Sequence, residues 1–412
     1  MQEAIILIVL VGVLLNLVLR AGLARALRKP VVPLQSVTFP PVSVLKPLYG
    51  ADPGLEDNLA TFFCLDYPKY QLVFGVEKDS DPAAAVVQKL MNRYPLVDAH
   101  LVIDESRIGH NPKVNNLANI AQRAKHGVFV ISDSNVRVKE TYLRDLMTML
   151  DEPGAGLVTS PIRVVGGTGL GAKLEQIQLH TFVTGGMAAA NAINVPLVVG
   201  KSMALRKSTL ERIGGWGFLS QFLAEDQVCA QAVGAIGEKV RVTNEPVDNV
   251  IGDMTLAAFL ARHERWGMLR KRIAPAAFVA ELLFNPICVA LLGLLIAPSW
   301  TIVAAALGAW LMKVGIERSA ERALGVGRPL GEHLWLVPLK ETGVLMAWFA
   351  ALLQTTTSWR GRQYHIGARS RTTLIETVST VTTAPRPSLF RRAVRRVSSA
   401  GREQPYAGTT ES

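Results

Sequence analysis

The chain has 412 residues, of which 49% are hydrophobic, and it carries a net charge of +11 from 44 basic and 33 acidic residues. That length suits one large or two ordinary domains, and the apolar content, with a mean hydropathy of +0.26, excludes a typical soluble enzyme. No nucleic-acid-binding module or aromatic–basic interleaving accompanies the basic excess, so we expect the membrane, and no nucleic acid, as its partner.

The chain begins with an apolar segment, Ala4–Leu19, whose one polar residue is Asn16. No basic segment precedes it and no small-residue cleavage site follows it, so a transmembrane anchor fits better than a signal peptide. Basic residues within 20–29 favour the cytoplasmic side for its end. We therefore predict an N-terminal anchor with a basic flank over residues 1–35.

The next part of the chain, residues 36–272, alternates between predicted strands and helices. In chain order these are a strand at Val42–Leu45, a helix near Leu55–Cys64, a strand at Leu72–Val76, a helix at Pro82–Arg93, a strand at Leu101–Ile103, a helix at Lys113–Ala124 and a strand at Val128–Ser132. This order predicts a parallel sheet with helices on both faces. Ligands of such sheets bind at the carboxyl ends of the strands, where we look for site residues.

Two acidic residues follow the predicted strand Leu72–Val76, namely Asp79 and Asp81. A carboxylate at this edge can accept hydrogen bonds from a nucleobase. Asp81 precedes Pro82, which is also a strong signal for the cap and first residue of a helix. Both aspartates remain candidates for binding a base, and Asp79 is favoured.

The triplet Asp133-Ser134-Asn135 follows the predicted strand Val128–Ser132. Mg²⁺ or Mn²⁺ typically takes one or two carboxylates together with phosphate oxygens and water. We therefore predict Asp133 and Asn135 as metal ligands, and the metal would offset the charge of a departing nucleoside diphosphate. The alternative is an Asx turn that closes the strand.

The pair Glu225-Asp226 lies at the predicted start of a helix. A carboxylate in such a position can act as a general base that takes the proton of an attacking hydroxyl, and Asp226 is the candidate base. The alternative is an acidic first turn that complements the helix dipole.

An R-x-x-R-W element follows, with Arg262, Arg265 and Trp266, shortly before further apolar segments. The two arginines share one helix face and could hold a diphosphate, while the indole offers a flat wall for a sugar ring or lipid head. Downstream of an acidic pair, such an element is typical of membrane-bound, inverting nucleotide-sugar transferases. The alternative is a charged surface helix with one packed tryptophan.

Residues 273–358 are predicted to form C-terminal membrane helices, with apolar stretches at Leu282–Ala297, Trp300–Gly315 and Leu334–Leu353. Three spans there would place the C-terminus outside, yet residues 360–396 contain nine arginines and one acidic residue, which favours the inside. Because Lys340-Glu341 interrupts the last stretch, we predict that this stretch is interfacial or re-entrant. Residues 359–412 are predicted to be a basic, largely disordered tail.

With these elements the chain resembles the ceramide glucosyltransferase family of inverting GT-A transferases. The resemblance runs from Val42 to Tyr364 and includes Lys46-Pro47-Leu48, Asn111-Pro112-Lys113 and Ser358-Trp359-Arg360. It implies an α/β, Rossmann-like GT-A domain between an N-terminal anchor and C-terminal transmembrane or interfacial helices. It also implies a multi-pass protein, here of a bacterial inner membrane, with a cytoplasmic catalytic domain.

The resemblance also implies roles for individual residues. Asp79 or Asp81 would hold the uridine, and Asp133 would bind the metal and diphosphate. Asp226 would be the base, and Lys113 would approach the phosphates. The residues expected to close over the diphosphate and acceptor are Arg262, Arg265 and Trp266.

The implied reaction moves a sugar, with glucose favoured, from a UDP-sugar to a hydroxyl of a ceramide-like membrane lipid, with inversion and with Mg²⁺ or Mn²⁺. The chain departs from the family at Lys78, where many members have an acid, and at Val183-Thr184, where animal members have His-Pro. An enzyme that adds N-acetylglucosamine to bacteriohopanetetrol in hopanoid synthesis is therefore a second possible reading. A processive polysaccharide synthase is a third, and a catalytically silent membrane scaffold is a fourth.

Overall fold

The computed structural model describes residues 1–28, 39–359 and 362–375. Its strands are β1 Val42–Pro47, β2 Tyr70–Val76, β3 Ala99–Ile103, β4 Val128–Ser132, β5 Val136–Arg137, β6 Ala155–Thr159, β7 Ile162–Val165, β8 Ser202–Arg206, β9 Lys239–Val242, β10 Val247–Val250, β11 Thr356–Trp359, β12 Arg362–Ile366 and β13 Thr372–Leu374. Its helices are α1 Gln2–Ala26, α2 Leu55–Phe63, α3 Pro82–Arg93, α4 Pro112–Ala121, α5 Tyr142–Leu150, α6 Leu170–Gln178, α7 Thr184–Ala192, α8 Lys207–Arg212, α9 Gly215–Leu219, α10 Glu225–Ala235, α11 Leu256–Ile273, α12 Pro275–Ala280, α13 Pro286–Ile296, α14 Trp300–Ala323 and α15 Leu330–Leu353.

A seven-stranded sheet with the order β3-β2-β1-β4-β8-β6-β9 forms the centre of the α/β domain, residues 39–273. Strands β1 to β4 run parallel, whereas β8 is antiparallel to both β4 and β6. Adjacent residues of one strand face opposite cores: Val44 packs with α2, α3 and α5, and Leu45 packs with α4 and α10. The predicted parallel arrangement with helices on both faces is therefore confirmed for the first four strands.

Helices α1, α14 and α15 are long and apolar enough to cross a membrane, and the predicted N-terminal anchor corresponds to α1. Helices α12 and α13 also form an apolar pair, but they are bent by 76° at a short break. The residues between them, Glu281–Phe284, form a 3-10 turn. These elements confirm the predicted fold class, an α/β domain with an N-terminal and several C-terminal apolar helices.

The charged pair Lys340-Glu341 does not interrupt α15, which is a continuous helix of 24 residues. Both side chains are buried, and the Lys340 ammonium donates a hydrogen bond of 2.6 Å to Glu317 of α14. Because the charges face a neighbouring helix instead of lipid, they do not prevent α15 from spanning. The interruption on which the interfacial or re-entrant prediction depended is therefore absent, the placement of this stretch stays a prediction, and α12 with α13 is the bent element.

The small sheet β11-β12-β13 lies against the α/β domain. The Thr372 amide donates to the Gln221 carbonyl at 2.9 Å, and the Leu223 amide donates to the Ser370 carbonyl at 3.1 Å. The chain therefore returns to the domain after α15. The predicted boundary between residues 358 and 359 falls inside β11, while Arg360 and the rest of the predicted tail, residues 376–412, lie outside the described residues.

This return constrains the path through the membrane. An even number of crossings must separate α11 from β11 if both lie on the side of the α/β domain. If α14 and α15 both cross the membrane, they supply two crossings, and the bent pair α12 and α13 would then enter and leave on the same side. The C-terminal sheet lies on the side of the α/β domain, because its backbone forms hydrogen bonds to that domain.

Candidate active site

Three of the predicted site residues meet at the carboxyl edge of the sheet. Asp133 directly follows β4, and its carboxylate contacts the Lys113 ammonium at 2.9 Å and the Lys201 ammonium at 3.0 Å. Lys113 lies in the first turn of α4, which begins at this edge because Asn111 caps it by accepting hydrogen bonds from the Lys113 and Val114 amides. Burial alone would raise the pKa of Asp133, but Lys113 and Lys201 outweigh burial and hold this pKa well below its usual range.

Lys113 also joins Asp133 to the acidic pair. Its ammonium lies 3.0 Å from one carboxylate oxygen of Glu225. The other carboxylate oxygen of Glu225 accepts a hydrogen bond of 3.0 Å from the side-chain amide of Asn111. Burial alone would lower the pKa of Lys113, yet Asp133, Glu225 and Asp226 outweigh it and raise this pKa. Lys113 is therefore a permanent cation in the centre of the site.

Asp226 lies in the first turn of α10, as predicted. Its two carboxylate oxygens accept hydrogen bonds from the Gly200 amide at 3.0 Å and from the Gln227 amide at 2.8 Å. Burial and then the negative charge of Glu225 raise the pKa of Asp226 to about 6, and Lys113 opposes part of this rise. A carboxyl with a pKa near neutrality is suited to accept a proton at physiological pH.

The predicted metal ligands Asp133 and Asn135 point at one common position. The Lys201 ammonium lies 3.0 Å from Asp133 Oδ2 and 2.9 Å from Asn135 Oδ1, so both oxygens contact one cationic nitrogen. Asn135 is oriented by its own amide, which donates to Asn249 Oδ1 and the Val250 carbonyl at 2.9 Å each. Among the described residues there is no group of three or more His, Cys, Asp or Glu that could hold a metal. Protein oxygens would thus supply only part of a coordination shell.

The two aspartates after β2 differ in structure. Asp81 caps α3 by accepting from the Ala83 amide at 2.9 Å, and it also accepts from the Gly50 amide at 3.0 Å. Asp79 is exposed. Sequence reasoning missed Glu77, which is the first residue after β2, contacts Arg107 and lines a cleft at the ends of β1, β2 and β3.

The R-x-x-R-W element lies in the middle of α11 and is anchored to α6. Glu175 is fully buried. One of its carboxylate oxygens lies 2.9 Å from a guanidinium nitrogen of Arg262, and the other lies 2.8 Å from Nε2 of His263. Burial alone would raise the pKa of Glu175, but His263 and Arg262 lower it to about 2. Trp266 packs partly buried against the core of the α/β domain, and the Arg262 guanidinium lies 5.9 Å from its ring centre.

The two arginines of α11 have different surroundings. Arg262 is engaged by Glu175, whereas Arg265 has no hydrogen bond to Asp133 or Asp226 in the described part of the chain. Burial and then the neighbouring Arg262 lower the pKa of Arg265. The structure therefore connects Asp133, Lys113 and Glu225 by direct contact, with Asp226 next to Glu225 in α10, and it leaves Arg262, Arg265 and Trp266 as a separate group.

Two further residues complete the charge pattern, and sequence reasoning did not assign them roles. Lys46 is fully buried, and its ammonium donates a 2.8 Å hydrogen bond to the Asp133 carbonyl. Lys46 belongs to a segment that carries the family resemblance, so a signal existed. Lys201 had none, because it reaches Asp133 only through the antiparallel pairing of β8 with β4.

An α/β sheet with a buried acidic and basic cluster at its carboxyl edge, joined to apolar helices, defines a membrane-associated GT-A glycosyltransferase. The model of glycosyl transferase family 21 matches residues 4–372, and the chain belongs to that family. The chain is therefore a glycosyltransferase, and the resemblance to ceramide glucosyltransferases is confirmed.

Two relatives from Caenorhabditis elegans illustrate the similarity. Ceramide glucosyltransferase 3 is 28% identical over 340 residues, which are 80% of this chain and 73% of that protein. Ceramide glucosyltransferase 1 is 31% identical over 245 residues, which are 59% of this chain and 53% of that protein. Among solved structures, the chain is similar to a mannosyltransferase from Pyrobaculum calidifontis in complex with GDP-Man and Mn²⁺. The two share 18% sequence identity with a TM-score of 0.50, and the match covers 86% of this chain and 99% of the mannosyltransferase chain. This last likeness shows the fold.

Proposed function

We propose that this chain transfers a hexose, with glucose favoured, from a UDP-sugar to a hydroxyl of a ceramide-like membrane lipid, with inversion at the anomeric carbon. The family and its relatives, which are ceramide glucosyltransferases, support this class of reaction. The apolar helices that continue from α11 support an acceptor that resides in the membrane. The α/β domain would face the cytosol, where nucleotide sugars are made, and a bacterial inner membrane fits the proposal.

The observation that carries the mechanism is the environment of Asp226. Its carboxylate is held by the Gly200 amide, and its pKa is raised to about 6 by burial and by Glu225. Asp226 would take the proton of the acceptor hydroxyl as that oxygen forms a bond to the anomeric carbon. The bond from this carbon to the diphosphate oxygen breaks in the same step, and UDP leaves from the opposite face.

The departing diphosphate needs positive charge. Lys113 supplies a permanent cation beside Asp133 and Asp226. Asp133 and Asn135 fit a divalent cation, because their oxygens already converge on one ammonium nitrogen, that of Lys201. When bound, Mg²⁺ or Mn²⁺ would neutralise charge on the diphosphate. Arg265 and Trp266 would close over the donor and acceptor from α11.

The uridine would bind at the ends of β1, β2 and β3. The cleft there is lined by Glu77, Asp104, Arg107 and Asn115, and it adjoins the acidic segment with Asp79 and Asp81. Because both carboxylate oxygens of Asp81 are engaged by backbone amides, Asp79 remains the favoured contact for the base.

Transfer by the purified, full-length protein in lipid nanodiscs tests this proposal. UDP-glucose, UDP-galactose and UDP-N-acetylglucosamine are each supplied with ceramide or with bacteriohopanetetrol, and products are identified by mass spectrometry and by the anomeric proton coupling in NMR. A β-glucosylceramide supports the proposal. An N-acetylglucosaminyl hopanoid supports the hopanoid acceptor instead, and a ladder of longer products supports a polysaccharide synthase. No product from any pair would contradict all three.

A further inference from the structure

A second cleft lies between the α/β domain and the apolar helices, and the empty space within it, which includes space open to solvent, is about 330 Å³. Its walls come from the end of α6, the following π-helical turn Leu179–Val183, the 3-10 turn Glu281–Phe284, α14 and α15. We call it the interhelix cavity. None of the residues assigned to the candidate active site lines it.

The interhelix cavity is joined to the R-x-x-R-W helix on two sides. Gln178, which lines it, lies one helical turn after Glu175, the residue that holds Arg262 and His263. Glu281, which also lines it, forms a two-pronged ion pair with Arg270 of α11. A ligand in this cavity would therefore lie beside the helix that carries Arg265 and Trp266.

The polar wall of the cavity carries hydrogen-bonding groups that are available to a ligand. The side chain of Gln178 is 4% exposed, lines the cavity and has no hydrogen-bond partner in the described part of the chain. Lys340 is 2% exposed and donates one hydrogen bond, to Glu317, among the described residues, although an ammonium has three donors. Buried polar groups normally find partners, so these side chains point to a polar ligand.

The charges around the cavity argue for an uncharged ligand. The ammonium groups of Lys313 and Lys340 are both within ion-pair distance of Glu317, and Lys313 also lies 3.5 Å from Glu341. Two cations are thus balanced by two anions. A phosphate-bearing head group would add an uncompensated charge, whereas hydroxyl and amide groups could satisfy the free donors and acceptors without one.

The remaining wall is apolar and continues toward the membrane. Phe182 and Phe284 pack edge to face with ring centres 5.5 Å apart, and Trp348 lines the same cavity. Beyond them, the outer face of α15 exposes Phe349 and Leu353. An amphipathic molecule with a compact polar head and long apolar chains matches this arrangement.

We propose that the interhelix cavity binds the uncharged head group of the acceptor lipid, with Gln178 and Lys340 as hydrogen-bonding residues, an inference that rests on the proposed function. The acyl chains extend between the apolar helices. The cavity then determines which lipid is accepted, while Asp133, Lys113 and Asp226 act on the donor and on the reacting hydroxyl.

Direct binding tests the inference separately from catalysis. The full-length protein in nanodiscs is titrated with a fluorescent N-hexanoyl ceramide, and UDP-glucose binding is measured in parallel. Gln178→Met removes the amide and keeps an unbranched side chain of similar length, so we expect ceramide binding to weaken about tenfold and UDP-glucose binding to be unchanged. Val344→Phe, which narrows the cavity, should weaken ceramide binding further.

Gln88→Met, on the exposed face of α3, is the matched control and should bind ceramide like the wild type. Wild-type ceramide binding by both cavity variants would overturn the inference. So would displacement of the probe by phosphatidylglycerol in preference to unlabelled ceramide, because that would make the cavity an anionic-lipid site. Intact ceramide binding without glucose transfer by the wild type would instead contradict the proposed function and leave the cavity assignment standing.

Discussion

At the scale of single residues, Asp226 is distinguished from its neighbours by its protonation chemistry. Asp133 faces two ammonium groups and stays ionised, whereas Asp226 is buried beside Glu225 and has a pKa of about 6. The two carboxyl groups thus differ in their readiness to take up a proton, as the proposed roles of cation ligand and general base require.

Replacing Asp226 by Asn should abolish transfer, because the amide cannot accept the proton of the acceptor hydroxyl. Asparagine keeps an oxygen for the Gly200 amide, so the donor site should remain intact. Isothermal titration with UDP should therefore give an affinity close to that of the wild type. Transfer at the wild-type rate would remove Asp226 from the role of base.

The pH dependence of transfer should reflect the same group. Only ionised Asp226 can accept a proton, so kcat/KM for the lipid acceptor should fall about tenfold per pH unit below a pKa of about 6. Above that value the profile should be level until another group titrates. Initial rates at saturating UDP-sugar, measured in buffers of constant ionic strength, provide the profile. A profile that stays level on the acidic side would contradict the assignment.

Removal of divalent cations should suppress transfer. The oxygens of Asp133 and Asn135 converge on one position but provide only part of a coordination shell, so the metal should bind mainly together with the diphosphate. EDTA should therefore inhibit, and Mn²⁺ or Mg²⁺ in excess should restore the rate. Undiminished transfer in EDTA would make Asp133 and Asn135 structural residues that bind Lys113 and Lys201.

The residues that could be predicted were those next to strand and helix ends. Asp133 follows a strongly apolar strand, and Asp226 begins a helix, so local pattern located both. Lys201 could not be found this way, since it depends on the antiparallel return of β8. The role of Glu175 was also hidden, because its partners Arg262 and His263 are distant in sequence.

At the scale of secondary-structure elements, the contact between α6 and α11 positions the R-x-x-R-W element. Glu175 is fully buried and engages Arg262 and His263 together, so α11 is held in one rotational setting against α6. This arrangement leaves Arg265 and Trp266 one turn further along the helix. The element acts through its fixed orientation as well as through its charges.

Glu175→Gln should destabilise the protein by about 3 kcal/mol, because the variant loses a buried anion with two partners. The pKa of Glu175 is depressed from 4.5 to about 2 in the folded state, so its contribution is complete above about 4.5 and is lost as pH falls toward 2. Thermal unfolding in detergent should show a difference in Tm that narrows with acidification. Glu211→Gln, at an exposed position of α8, is the control. An unchanged Tm for Glu175→Gln at neutral pH would contradict this role of Glu175.

The pattern of apolar residues predicted the bounds of helices and strands well where the buried residues are apolar. It was misleading where two helices share buried charged residues. Helix α3 and strand β4 have the predicted bounds, since a Pro cap begins one and a run of buried residues defines the other. Lys340 and Glu341 suggested an interruption because a sequence shows charge but not its partner. Their partners, Glu317 and Lys313, belong to α14.

At the scale of the whole molecule, the chain leaves the α/β domain for the apolar helices and then returns to that domain. The C-terminal sheet returns to the α/β domain, and α12 and α13 form a bent apolar pair between α11 and α14. The interhelix cavity lies where that pair, α14 and α15 meet α6. A lipid could thus reach the site from within the membrane while the UDP-sugar arrives from water.

Glycosylation of a membrane lipid with Asp226 as the base is tested most directly in a host that produces the protein. The host is supplied in parallel with ceramide and with bacteriohopanetetrol, and its lipids are measured by mass spectrometry. We predict a hexosylceramide that is present with the wild type and absent with Asp226→Asn at equal protein levels. A new glycolipid that persists in Asp226→Asn, or no new glycolipid under either supplement, would contradict this mechanism.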